Sequence, residues 1–262
     1  MMSADPSTNE PVLCAIDGGI ARLTLNDPAR RNAMGVAMFE ALERRVHAIA
    51  SDSSARVVLL TGAGHAFCAG FDLGAAVEQP ALMAHFIQRL SDINRSIRRL
   101  PQVVVAAVQG AAIAGGCAIL SACDFVVVCP DATLGYPVHR IGVSPAVTLP
   151  LLRLGMGDGP ARALALSGEL IDGQTAFQRR LATHLAPGAG AVIETAERLC
   201  AELLRKGPRA LKATKAWLNE LDGSLRDDAF DGARDASASL TSGDEANRML
   251  SAFWSARRKR DG

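Results

Sequence analysis

The sequence predicts an α/β fold with a helical C-terminal part, and two observations carry that prediction. Strands that read as continuous apolar runs, VVVAAVQG and DFVVVCP, alternate with helical stretches, as in sheets that are covered on both faces. After about Leu170 the strand signal fades to the short ATHLAP, and the chain is helical from Ala189 onward. With 262 residues, of which 49% are hydrophobic, the chain can bury one sizeable core.

The elements of the N-terminal half follow in order. VLCAI and IARLTL flank Asp17-Gly18-Gly19, which predicts a β-hairpin. Apolar residues recur at helical spacing from Val36 to Ile49, and RVVLLTG then reads as a short strand. The glycine-punctuated loop GAGHAFCAGFDLG precedes a helix from Ala81 to Arg99, and VVVAAVQG precedes the buried helix IAGGCAILSAC. The apolar faces of the C-terminal helices need a cover, which is either an oligomer interface or the chain's own core.

Composition excludes several classes of partner. The formal net charge is +1 and the pI about 7.7, so no field of one sign favours nucleic acid, a membrane surface or acidic partners. The six cysteines have no CxxC pair and lie mostly in apolar runs, which indicates buried free thiols in a reducing compartment and no metal site. The polar start MMSADPSTNEP resembles no signal segment, so we expect a soluble, cytoplasmic protein.

Two glycine-rich turns follow strands and suggest a binding site for an oxyanion. Gly115-Gly116 opens the helix after VVVAAVQG, where the first turn leaves backbone N–H groups unpaired and partly positive. The loop from Gly62 to Gly74 presents glycine in the same way, and an oxyanion hole needs two converging donors. Taken alone, either turn is explained as well by a tight strand-to-helix contact that has no room for a Cβ.

The paired motifs TGAGHAFCAGFDL and AAVQGAAIAGGCAILSACDFVV resemble the crotonase (enoyl-CoA hydratase/isomerase) superfamily, as do LNDPARRNAM and LGYPVHRIGVSPAVTLPLLRLG. The resemblance runs from about Val12 to the C-terminus. It implies a crotonase-like spiral of ββα units over residues 11–200 and a helical trimerisation subdomain over residues 201–262. It also implies a homotrimer or a hexamer of two trimers, an acyl-CoA substrate, and no cofactor beyond the CoA moiety.

The same resemblance assigns site residues. The backbone N–H groups of Phe71 and Gly115 would hold the thioester oxygen as it becomes an enolate, and Gly116 would keep the approach open. The CoA moiety would meet Arg30, Arg31, Ala33, Ala69, Asp72, Leu73 and, from a neighbouring subunit, Lys259. Each has a plainer interpretation as well: the arginines as surface charges, Asp72 as a helix cap and Leu73 as core.

The acids of the family are missing. The hydratase glutamates fall at Ala118 and Val138, and a further acid position of the isomerases falls at Ala146. Alanine and valine carry no proton, so we expect weak or absent hydration. His139 is a candidate proton shuttle if it faces the substrate, as is Tyr136; alternatively, His139 points away and pairs with a surface acceptor.

These observations leave two functions open. The first is a lyase or isomerase that stabilises a thioester enolate, for which decarboxylation of a malonyl-type thioester becomes more plausible without acids. The second is a non-catalytic acyl-CoA-binding subunit. An RNA-binding function lacks a basic, aromatic surface pattern, and a serine hydrolase lacks a GxSxG elbow.

Overall fold

The computed structural model describes residues 10–261, with side chains to residue 256. Within that range the strands are β1 (Val12–Asp17), β2 (Ile20–Leu25), β3 (Val57–Gly62), β4 (Val103–Val108), β5 (Ala111–Ile113), β6 (Phe125–Val128), β7 (Thr133–Gly135), β8 (Leu170–Asp172) and β9 (His184–Leu185). The α-helices are α1 (Val36–Ser51), α2 (Leu73–Glu78), α3 (Ala81–Arg99), α4 (Gly115–Ala122), α5 (Leu149–Met156), α6 (Asp158–Ser167), α7 (Gly173–Gln178), α8 (Val192–Leu204), α9 (Pro208–Leu221), α10 (Asp228–Ala238) and α11 (Asp244–Asp261).

Two sheets form the β part of the molecule. The larger sheet has the order β1-β2-β3-β4-β6-β9, with β1 antiparallel to β2 and the other neighbours parallel. The smaller sheet has the order β5-β7-β8. All six residues of β4 are buried, as a continuous apolar run in a covered parallel sheet requires. The predicted α/β class with a helical C-terminal part is therefore confirmed.

The predicted hairpin and first helices form as their sequences indicate. Gly18 and Gly19 turn the chain between β1 and β2 with φ angles of 55° and 86°, a region that favours glycine. Helix α1 buries Phe39 and Leu42, and α3 buries Phe86 on the same side of the sheet as part of one core. The sequence interpretation missed β5, β7 and β8, because three residues are too few to show a strand period.

The C-terminal helices pack on the chain's own core. The Lys215 ammonium of α9 is 5% exposed and lies 2.7 Å from the Asp124 carboxylate and 2.9 Å from the Gln102 carbonyl oxygen. Helix α10 contacts α3, and α11 contacts both α2 and the 3-10 turn Pro137–Ile141. The outer face of α9 nevertheless exposes large apolar side chains, namely Trp217, Leu218 and Leu221.

Two features are absent from residues 10–261, the range that the structure describes. None of the helices in that range is long and apolar enough to cross a membrane. No group of three or more His, Cys, Asp or Glu side chains in that range is placed to hold a metal ion.

Candidate active site

The segment 67–72 places Phe71 between two neighbouring segments. On one side the Met34 N–H donates to the Gly70 carbonyl (2.8 Å), and the Asp72 N–H donates to the Met34 carbonyl (3.1 Å). On the other side the Ile113 N–H donates to the Cys68 carbonyl (2.9 Å). Phe71 lies between the two bonds to Met34, so its own N–H points the opposite way, toward the segment that leads into α4.

The buried side chain of Asn32 hydrogen-bonds with the loop that carries Phe71. It is fully buried with a φ of 55°, and its Nδ2 lies 2.9–3.1 Å from the carbonyl oxygens of Ala63, Ala66 and Phe67. Its Oδ1 accepts the N–H of Asp27 at 2.8 Å. The side chain therefore ties the segment 31–34 to the loop that carries Phe71. Sequence reasoning missed this role, although an asparagine after two arginines, in a residue type that tolerates a left-handed backbone, was a signal.

Gly115 carries a second backbone N–H that lies at the start of a helix. The Ala114 carbonyl accepts the N–H of Ala118 (2.9 Å) and so starts α4, which leaves the Gly115 N–H without an acceptor inside the helix. The Ala114 N–H donates to the Gly135 carbonyl (2.8 Å), and Ala114 has a φ of 50°. A Cβ on Gly115 would lie 2.5 Å from Met34 Cε and 2.9 Å from Phe71 Cε1, so glycine is needed for this close contact.

Gly116 packs against the segment that precedes Phe71. A Cβ at this position would lie 2.5 Å from the carbonyl oxygen of Cys68, and Gly116 is absent from the lining of the cavity beside Gly115. Its missing side chain therefore lets α4 pack against the Cys68 backbone and does not open an approach for the substrate.

A cavity of about 280 Å³ lies beside the two donors. Phe71 and Gly115 line it together with Ala118 and Val138, two of the positions where the family carries acids; Ala146 does not line it. The remaining lining is mostly apolar: Ala69, Leu73, Met83, Ile87, Leu90, Ala111, Ile113, Ala114, Pro137, Ile141, Val143, Pro145, Val147, Leu170 and Phe253. The polar lining residues are Arg31, Tyr136, Arg140, Ser144 and Thr148.

The lining residues of this cavity include no carboxylate and no imidazole. Arg31 and Arg140 are exposed at its edge, whereas Tyr136 and Thr148 are buried. The Tyr136 hydroxyl oxygen lies 3.2 Å from Thr148 Oγ1. Burial raises the pKa of Tyr136 well above its usual value, and the adjacent Cys117 thiol raises it further. Tyr136 therefore keeps its proton throughout the neutral range.

The candidate proton shuttle His139 lies outside the cavity. Its side chain is exposed, and its Nδ1 lies beside Gly168, 3.3 Å from where a Cβ on that glycine would be. The residues Pro137–Ile141 form a 3-10 turn, in which Val138 and Arg140 line the cavity and His139 does not. The alternative interpretation, in which His139 points away, agrees with this position.

The residues expected to meet CoA divide between two places. Arg31, Ala69 and Leu73 line the cavity, while Arg30, Ala33 and Asp72 line a neighbouring groove of about 1060 Å³. The two sets share one stretch of chain, since Phe71 and Leu73 face the cavity and Asp72 faces the groove.

Arg30 and Asp72 also have structural partners. Arg30 lies 2.7 Å from the Asp27 carboxylate and 2.9 Å from the Asp72 carboxylate. Asp72 additionally caps α2, because its Oδ1 accepts the N–H of Ala75 at 3.2 Å. The side chain of Lys259 lies outside the described residues.

The C-terminal helix of the same chain covers the cavity. Phe253 of α11 lines it, and Trp254 packs on α2, where a Cβ on Gly74 would lie 3.2 Å from Trp254 Cζ2. Sequence reasoning expected the C-terminal end to reach a neighbouring subunit. The helical pattern of α11 gave no signal of which cavity it would cover.

The sequence of this chain is similar to those of known proteins. A family model described as enoyl-CoA hydratase/isomerase matches residues 15–259. A Thermus thermophilus protein that carries the name of an enoyl-CoA hydratase is 34% identical over 244 residues, which is 92% of this chain and 96% of that protein. The 2,3-dehydroadipyl-CoA hydratase of Escherichia coli is 34% identical over 200 residues, 76% of this chain and 77% of that protein.

A solved structure extends the comparison to the fold. The enoyl-CoA hydratase/isomerase of Xanthobacter autotrophicus superposes with a TM-score of 0.85 at 27% identity and covers 96% of this chain and 94% of that one.

Proposed function

Because this chain belongs to the enoyl-CoA hydratase/isomerase family, we propose that it binds an acyl-CoA thioester in the 280 Å³ cavity and stabilises the thioester enolate there. Membership of the family confirms the crotonase-like fold expected from the sequence motifs. The oxyanion of the enolate is held by two backbone donors, the N–H groups of Phe71 and Gly115.

One observation carries the proposal. The N–H of Phe71 points away from Met34 and toward the segment that starts α4. The N–H of Gly115 has no acceptor within the helix, and both residues line one cavity. Each donor of this kind stabilises a developing oxyanion by roughly 3–4 kcal/mol in the transition state. Both donors are backbone N–H groups, so substitutions of the surrounding side chains do not remove them.

The lining of the cavity decides which reaction the site supports best. Hydration needs a group that activates water and a group that protonates carbon, and double-bond isomerisation needs a base. Ala118 and Val138 offer neither. Decarboxylation of a malonyl-type thioester needs no base, since the breaking C–C bond supplies the electron pair of the enolate. We therefore assign decarboxylation to this site, with a proton as the only further requirement.

A second candidate function is binding without turnover. The observation in its favour is the same replacement of the family's acids by apolar residues, which leaves the pocket and the donors in place. In that case the chain would act as an acyl-CoA-binding subunit.

One experiment separates these functions. Purified protein is incubated in heavy water with enoyl, 3-hydroxyacyl and malonyl-type CoA thioesters, and the products are weighed by mass spectrometry. Loss of CO₂ with uptake of one deuterium supports the decarboxylase. Gain of water by the enoyl thioester contradicts the argument from the missing acids. Binding without any change in mass supports the non-catalytic subunit.

The assembly we propose is a trimer, alone or paired into a hexamer. The exposed Trp217, Leu218 and Leu221 on α9 support it, because an apolar face of this size is usually covered in solution. Light scattering on the purified protein gives the mass directly. A monomer of 27.4 kDa would contradict the proposal.

A further inference from the structure

We propose that Tyr136, supported by Thr148, is the acid that protonates the enolate carbon. The inference rests on the proposed function, because it supplies the proton that decarboxylation still requires. At the positions where the family carries acids, this chain has Ala118 and Val138. In the same cavity the structure places the buried phenol of Tyr136.

The position of the hydroxyl carries the argument. Tyr136 lines the cavity with both donors and is 1% exposed. The thiol of Cys117, two residues beyond Gly115 and next to Ala118, lies close enough to the phenol to raise its pKa. Its backbone follows Gly135, whose carbonyl holds the N–H of Ala114. The phenol is thus fixed against the first turn of α4, beside the place where the family carries a glutamate.

The other proton carriers in the cavity lining fit the task less well. Arg31 and Arg140 are exposed at the edge. Ser144 Oγ accepts the N–H of Ala146 at 3.2 Å in the turn Pro145–Thr148. Thr148 is buried, and its Oγ1 lies 3.2 Å from the Tyr136 oxygen. The Thr148 hydroxyl can therefore donate to the Tyr136 oxygen, which leaves the Tyr136 proton for the substrate.

The chemistry of the phenol suits an acid and excludes a base. Burial raises the pKa of Tyr136 well above its usual value, so the phenol is protonated before each turnover. It cannot remove a proton from carbon at neutral pH, which agrees with a reaction that starts by loss of CO₂ and not by deprotonation.

The steps balance. The bond between the α-carbon and the carboxylate breaks, CO₂ leaves, and the electron pair forms the enolate held by Phe71 and Gly115. The α-carbon then takes the proton of Tyr136, and the resulting phenolate recovers a proton from water through the Thr148 hydroxyl. The hydroxide that remains combines with CO₂, so malonyl thioester and water give the shortened thioester and bicarbonate.

The test uses the handedness of the product. A 2-methylmalonyl thioester in heavy water gives a product with one deuterium on a carbon that becomes chiral. The wild-type protein should place that deuterium on one face. Tyr136→Phe keeps the ring and removes the proton, so we expect the label on both faces equally in the product that this variant forms. His139→Gln, outside the cavity, is the matched control and should keep one-faced labelling.

A second measurement does not depend on a variant that folds. Tyr136 is the only tyrosine of the chain, so growth on 3-fluorotyrosine labels this residue alone. Its single ¹⁹F resonance should move when a non-reacting malonyl thioester analogue binds, and should move less with CoA alone.

The outcomes distinguish the role of Tyr136 from the proposed decarboxylase function. One-faced labelling by a folded Tyr136→Phe, or a ¹⁹F resonance that stays in place with the analogue bound, overturns the role of Tyr136 and leaves the decarboxylase standing. No CO₂ from any malonyl thioester with the wild-type protein overturns the proposed function, and this inference with it.

Discussion

Replacing Gly115 by proline removes one backbone donor without deleting a side chain. Proline is well tolerated at the first residue of a helix, where its missing N–H has no helical acceptor in any case. Ala114 has a φ of 50° and ψ of −111°, so it is not in the right-handed helical region that a following proline disfavours. Gly115→Pro therefore removes the proposed donor at a position where the helix can still begin.

The structure gives the matched control and the size of the effect. Any Cβ at position 115 meets the Met34 methyl group at 2.5 Å and the Phe71 ring at 2.9 Å. The Met34 methyl can swing away, but the Phe71 ring packs against Phe39 and Phe86 with centroids 6.0 and 5.6 Å away, so overpacking costs about 1–3 kcal/mol. Gly115→Ala carries the same Cβ and keeps the N–H. The difference between the two variants reports the loss of the N–H together with the Cδ that proline puts in its place.

The assay is the rate of CO₂ release from a malonyl thioester at saturation, with a melting curve for each variant. We expect the proline variant to turn over roughly 10²–10³-fold more slowly than the alanine variant, with a similar Kd for CoA. Equal rates for the two folded variants would refute the assignment of the Gly115 N–H as an oxyanion donor.

Three other predictions concern the stability of the fold. Asn32→Leu should lower the free energy of unfolding by about 2–3 kcal/mol, measured in urea, because the buried carbonyls of Ala66 and Phe67 lose an amide donor; an unchanged midpoint would contradict this role. Lys215→Met should cost about 3 kcal/mol, because the Asp124 carboxylate keeps only the Val104 N–H and loses its cation; adding Asp124→Asn should recover part of that loss.

Burial raises the pKa of Asp222, but hydrogen bonds from Ser224 and Arg98 outweigh it and leave the pKa below its usual value. The stability that this carboxylate contributes is therefore complete above about pH 4 and lost as the pH falls further. Asp222→Asn should flatten that acid limb of a stability-against-pH curve, and an unchanged slope would contradict the account.

The fold was largely predictable because most of its strands and helices are long enough to leave a pattern in the sequence. Continuous apolar strands, helices of more than a dozen residues and two glycine turns each leave a pattern in the chain. Strand β7 has only three residues and pairs with two others of the same length, so no period could reveal it. Arg180 has a left-handed backbone with a φ of 63°, which its residue type does not signal in the sequence.

The site was less predictable, for physical reasons. A 3-10 turn repeats every three residues, but nothing in the sequence signals that Pro137–Ile141 forms one. The sequence therefore could not tell whether Val138, His139 or Tyr136 faces the cavity. Phe253 lines the cavity only because α11 packs back on the core, and this packing depends on tertiary contacts that the local sequence does not show. The two backbone donors left a signal only because each requires glycine nearby.

The most direct measurement of the central claim is the stretching frequency of the bound thioester carbonyl. Difference infrared spectra of a ¹³C=O-labelled, non-reacting acyl-CoA on the protein isolate that one bond. Two converging N–H donors should polarise the carbonyl and lower its frequency relative to the same thioester in water, and Gly115→Pro should reverse part of the shift. A bound thioester with the frequency it has in water, or a shift that the proline variant leaves intact, would contradict the oxyanion hole on which the account depends.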